Sequence, residues 1–143
     1  MANALFDTGR EGFLAGEIDW DTAAIKVALV RAYTFAPAHK FVSDVTAAAG
    51  VLHVTSAALT AKTVATGVAD AADITFTAVA SNATGHSLLV FQSSAVAGGA
   101  DVAATAQRVI AYYDTGTGLP VTPNGGDITI AWGNVAGTLI FKL

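Results

Sequence analysis

Apolar side chains return at every second position through most of this chain, in short runs that stop at Gly, Pro, Asn or Asp. A period of two marks a strand with one face on a core, whereas an amphipathic helix needs a period near ~3.6. The segment 24–33, AIKVALVRAY, is the clearest case. Ile25, Val27, Leu29 and Arg31 share one face, and Lys26, Ala28 and Val30 share the other. The segments 62–70 (KTVATGVAD), 73–80 (DITFTAVA), 107–115 (QRVIAYYDT) and 127–134 (DITIAWGN) follow the same rule. In 62–70, Val64 is in phase with Thr66 and Val68; in 107–115, Val109, Ala111 and Tyr113 oppose Arg108, Ile110 and Tyr112. The segments 51–59 (VLHVTSAAL) and 138–143 (TLIFKL) add shorter strands. Segment 86–94, HSLLVFQSS, is a continuous apolar run, which predicts a strand buried on both faces.

No long amphipathic helix separates these runs, so a parallel α/β sheet is excluded. The expected fold is all-β: an antiparallel β-sandwich, jelly-roll-like, with a short N-terminal helix or arm. A single domain over residues 1–143 fits the length. Residues 1–21 are read as the N-terminal arm and the first strand. In 3–15 Asn3 is a possible helix cap, but Gly9 and Gly12 weaken a helix. In GEIDWD, Glu17, Asp19 and Asp21 alternate with Ile18 and Trp20, which is strand periodicity. The stretch 33–50 is long, holds Pro37 and offers Ser43 as a cap, so it is the place for a short helix or a functional loop. The Ala-rich 95–106 is read as a loop because of Gly98 and Gly99.

Composition narrows the function classes. Charged residues make up 13% of the chain, the net charge is −4, and the basic residues are scattered. That balance argues against a nucleic-acid binder working by phosphate neutralisation. No apolar stretch approaches a membrane span, and the first residues lack the pattern of a secretory signal. The chain has no cysteine, which excludes disulfides and thiolate chemistry.

The most punctuated stretch is 114–132, DTGTGLPVTPNGGDITIAW. A phosphate-cradling loop needs Lys and Ser or Thr after its glycines, and a helix behind it. Here Asp127 and Ile128 follow, at the start of a strand. The stretch is therefore an ordered connection whose Asn124-Gly125-Gly126 is a β-turn. The trio Glu17, Asp19 and Asp21 suits a calcium site or a glycosidase pair only weakly; a solvated strand face is the commoner arrangement. His39, His53 and His86 are far apart in sequence and match no zinc spacing. No nucleophile elbow is present, and Asn82-Ala83-Thr84 is a sequon that matters only in a secreted eukaryotic protein. The reading is a non-enzyme with no cofactor and no metal. Arg10, Glu11, Phe13, Asp19 and Trp20 are better suited to contacts with a partner, Arg and Trp being favoured interface anchors. Trp20 is equally well accounted for as core.

Two segments carry a resemblance: GREGFLAGEIDWD (9–21) with the IKVALV strand behind it, and 114–132 with the ending IFKL. Together they resemble a group of small structural proteins of tailed bacteriophages, several of them capsid cement or decoration proteins. The resemblance implies a virion protein on the capsid exterior, made in the bacterial host cytoplasm. Its partners would be the major capsid protein and itself, as homodimer or homotrimer, with no nucleic acid and no membrane. The residues 10–20 named above would be the capsid contacts. Two other readings stand beside this one: a phage tail component, and a carbohydrate-binding β-sandwich on the virion surface. The second gains weight if Trp20, Trp132 and Tyr112 share one open face.

Overall fold

In a computed structural model of the chain, residues 3–133 and 140–143 are described. The elements in order are β1 (Ala4–Leu5), α1 (Asp7–Leu14), β2 (Ala24–Arg31), α2 (Val42–Ala47), β3 (Val51–Thr55), β4 (Thr63–Ala65), β5 (Val68–Asp70), β6 (Ile74–Phe76), β7 (Ser87–Ser94), β8 (Arg108–Tyr113), β9 (Ile128–Ile130) and β10 (Phe141–Lys142). Strand takes 36% of the described residues and helix 10%, so the fold is all-β and sandwich-like, as the alternation predicts. Part of the expected last strand, and the end of the 127–134 segment, fall outside the described residues.

The main sheet has the order β1-β8-β7-β2-β3, with every pairing antiparallel. One face of it meets a second layer made of two smaller ribbons, β10-β5-β4 and β6-β9. Ile25, Val27, Leu29, Leu88, Val90 and Ile110 pack there against Ala69, Phe76, Trp132 and Ile140. The other face is covered by the N-terminal arm and the 33–47 region, where Phe6, Tyr33, Val42 and Val45 meet Ala28, Val30, Leu89, Phe91 and Tyr112. Two covered faces explain why β7 is buried at every position and why its sequence does not alternate.

Three bulges re-aim side chains. Val90 and Phe91 pair with Ala111 and Val109, so Ile110 is an extra residue on β8. This corrects the expected alternation: Val109 joins Tyr112 on the helix-covered face, while Ile110, Ala111 and Tyr113 pack on the other. Ser93 is extra on β7, and His53 is extra on β3.

Three local expectations are also corrected. Residues 17–21 form no strand: the segment is irregular and then a turn. The burial alternation is nevertheless right, with Ile18 and Trp20 inside and Glu17, Asp19 and Asp21 exposed. Segment 62–70 is two strands, folded back at Thr66 and Gly67, whose φ of 51° and 78° make a two-residue hairpin turn. The helix in 33–50 starts at Val42, before the expected Ser43 cap. It is held instead by the Asp44 carboxylate, which accepts the Lys40 and Phe41 backbone N–H groups at 2.8 and 2.9 Å. These bonds hold the Asp44 carboxyl below its ordinary range. In the 114–126 connection the Asn124 side chain accepts Gly126 N–H at 3.0 Å, the turn chemistry expected there.

Candidate functional site

The site begins with how α1 reaches the sheet. Its two glycines let it lie almost on the backbone of β8. A Cβ at Gly9 would stand 2.9 Å from the Ile110 carbonyl oxygen, the one pushed out by the bulge. A Cβ at Gly12 would stand 2.5 Å from Ile18 Cδ1 and 2.7 Å from Arg108 Nη2. These positions, read from sequence as helix weakness, are where side chains have no room.

Two polar residues in otherwise apolar strands hold the segment after α1 in place. The Gln92 amide accepts the Asp19 N–H at 3.0 Å and donates to the Glu17 carbonyl at 3.0 Å. Buried Arg108 pairs with the Glu17 carboxylate and donates to the Thr8 carbonyl. Glu17 and Ile18 N–H groups are taken by the Gly12 carbonyl. With the Glu17, Ile18 and Asp19 N–H groups and the Glu17 carbonyl satisfied by a helix end and the Gln92 side chain, 17–19 has no need of a strand partner. Asp19 closes the turn, its carboxylate accepting both N–H and hydroxyl of Thr22 at 3.1 and 2.5 Å. The Thr22 bonds are the main reason that its carboxyl sits below the ordinary range.

Trp20 enters the core: it is 4% exposed, donates its indole N–H to the Asp70 carbonyl at 3.3 Å, and meets Phe141 edge-on at 5.0 Å. Phe13 meets the other side of Phe141 at 5.6 Å. Beside these rings lies a groove of about 330 Å³ lined by Phe13, Ile18, Trp20, Val64, Phe141 and Leu143, with Asp19 and Asp21 at its rim. Val64 and Leu143 are each 58% exposed, and Leu14, next to Phe13, is 90% exposed. The groove borders β4, whose three residues are all exposed and whose one partner is β5. Among the described residues its other edge is an open strand edge.

Of the contact residues expected from sequence, Phe13, Asp19 and Trp20 come together at this groove. Trp20 does so as core wall, not as a protruding anchor. Arg10 and Glu11 lie elsewhere on α1. Arg10 pairs with Asp7 at 3.0 Å and donates to the Leu5 carbonyl at 3.3 Å. Glu11 is exposed, near Leu14, Lys40 and Arg108. Val64 carries no signal in the sequence as a groove residue, because the folding-back at Thr66 is what brings it there. Gln92 and Arg108 do carry one, as polar residues inside apolar runs.

A larger opening of about 530 Å³ is lined by Tyr113, Thr115, Thr117, Thr129 and Trp132 among others. Among the described residues nothing accepts the buried Trp132 indole N–H. Trp20 and Tyr112 do not join it: Trp20 is in the core between the layers and Tyr112 is on the sheet's other face. No group of three or more His, Asp or Glu side chains converges among the described residues. His53 and His86 do come together, rings 4.7 Å apart, whereas His39 meets the Tyr33 hydroxyl at 2.9 Å. No family model, curated protein or solved structure matches this chain.

Proposed function

We propose that this chain is a structural protein of a tailed-phage head, a cement or decoration subunit that clamps neighbouring major capsid proteins from outside. The observation that carries the reading is the apolar groove of Phe13, Trp20 and Phe141 beside the open edge of β4. Phe13 and Trp20 lie in one of the two segments that resemble such proteins, and Phe141 lies in the ending of the other. A clamp needs a stiff body with a sticky face. The doubly covered sheet supplies the first, and Val64 and Leu143, both lining the groove and exposed, supply the second. A strand from a capsid subunit adds to β4 while its side chains enter the groove. The subunit acts as a homodimer or homotrimer, and repetition over a closed shell multiplies weak contacts through avidity.

The test is binding of the purified protein to capsid shells of the phage that encodes it, followed by cryo-EM of the virion. Val64→Lys and Leu143→Glu are expected to lower shell occupancy roughly tenfold or more while leaving the fold intact. A density in the tail, or no density on the particle, overturns the proposal.

The carbohydrate reading keeps one observation of its own, the hydroxyl-lined opening with a Trp132 indole N–H that nothing among the described residues accepts. A glycan array decides it: a hit abolished by Trp132→Phe favours that reading, and an array without hits removes it.

A further inference from the structure

The end of the main sheet where β2 finishes and β7 begins holds a second cluster, built from side chains the groove does not use. Val30 of β2 pairs with Ser87 of β7, and Arg31 and His86 lie one position beyond that pair. By the period of two they extend the Leu29–Leu88 face of the core. His53 is brought to the same place by its bulge on β3, with its ring edge-on to His86. His86 is completely buried.

The hydrogen bonds fix both tautomers. His86 Nδ1–H donates to the Thr84 carbonyl at 2.7 Å, and His53 Nε2–H donates to the Ala80 carbonyl at 2.9 Å. His86 Nε2 then carries a lone pair, and it is buried with no partner among the described residues. The backbone of His86 also exchanges hydrogen bonds with Val121, at 2.7 and 2.9 Å. Through these contacts the pair ties two connections, 78–86 and 119–123, to the end of the sheet. The charged and titratable groups facing His86 are Arg31 from β2 and His53 from β3. The connections themselves, residues 77–85 and 119–123, contain no ionisable side chain. A proton on His86 Nε2 would therefore be a buried cation with no acceptor, beside a guanidinium whose own Nε–H is buried and unpartnered.

We propose that Arg31, His53 and His86 form an acid-sensitive latch, which holds the connections 78–86 and 119–123 on the sheet at neutral pH and releases them as the pH falls. Release exposes His86 to water, where its ring takes the proton without penalty. The sign comes from the geometry: burial first, then His53 and Arg31, hold the folded ring below the ordinary imidazole value of 6.5. Such a group stabilises the closed state fully above that value, and its contribution is lost as pH falls from there through the lower folded value.

Amide hydrogen exchange read as protection factors tests the latch in the full chain. Protection of 78–86 and 119–123 is expected to fall up to ~30-fold from about pH 8 to about pH 5, the ratio for one proton taken up on opening by a ring of ordinary pKa ~6.5. The β2 and β7 amides are expected to hold. His86→Gln, which cannot protonate, flattens the pH dependence, and Arg31→Met reduces it. No local change between these pH values overturns the latch, as does a full change that survives in His86→Gln. Should the Gln variant not fold, NMR titration of the wild-type rings decides: a His86 ring titrating at its ordinary value in the closed protein sinks the proposal.

Discussion

At the scale of single residues, Gly9 and Gly12 show how one residue type takes different meanings. In an isolated helix, replacing Gly by Ala gains about 1 kcal/mol. Here the added methyl collides. At Gly9 the obstacles are backbone atoms, the Ile110 and Val109 carbonyl oxygens at 2.9 and 3.1 Å, which cannot step aside. At Gly12 they are the ends of two side chains, Ile18 and Arg108, which can. Overpacking costs about 1–3 kcal/mol. Gly9→Ala is therefore expected to lose about 2 kcal/mol in urea unfolding, and Gly12→Ala much less. Equal losses, or a gain at Gly9, would mean that α1 does not rest on β8 in solution.

Among the elements, the β4–β5 hairpin is the least settled by its own sequence. Its turn needs two left-handed residues, and Thr66 is one of them, with φ of 51°. A β-branched residue is poorly suited to that region, whereas Asn-Gly is the favoured pair. Thr66→Asn is expected to stabilise the protein by roughly 0.5–1 kcal/mol, seen as a raised urea midpoint with unchanged slope. A loss would show that Thr66 is held by something other than its turn. The same turn explains why sequence reading missed the groove. Val64, Thr66 and Val68 keep a strict period of two, and nothing in that pattern marks the reversal that carries Val64 to Phe13 and Trp20.

Across the whole molecule, both faces of the main sheet are covered, and the three tyrosines are drawn into that cover. Burial pushes Tyr113, Tyr33 and Tyr112 above the ordinary phenol value of 10. Tyr113 donates its hydroxyl to the Ile140 carbonyl, and Tyr112 donates its own to the Tyr33 carbonyl at 3.4 Å. An acid whose folded pKa is raised stabilises fully below its unfolded value. That stability is lost as pH rises above 10 toward the folded values. The chain is expected to unfold cooperatively above pH 10, with tyrosinate absorbance and far-ultraviolet dichroism changing together. Tyrosines that ionise near 10 while the dichroism stays native would contradict this packing.

The sequence by itself determined the fold class, because the period of two is a property of each strand alone. It determined which side of each residue in 17–21 faces inward, although the strand assigned there is a turn. It also determined that 114–126 is a turn-rich connection, since an acidic residue after the glycines suffices to reject a phosphate cradle. What it could not contain is anything set by the meeting of distant segments. Gln92 satisfies the 17–19 backbone from a strand 73 residues away, which removes the need for a ladder there. The bulges at Ile110 and His53 arise from how neighbouring strands register. One shifts the faces of β8, and the other brings His53 to His86. The groove and the latch both belong to this second class: the sequence offers Phe13, Asp19, Trp20, His53 and His86 as separate residues, and only the packed sheet makes them neighbours of Val64 and of each other.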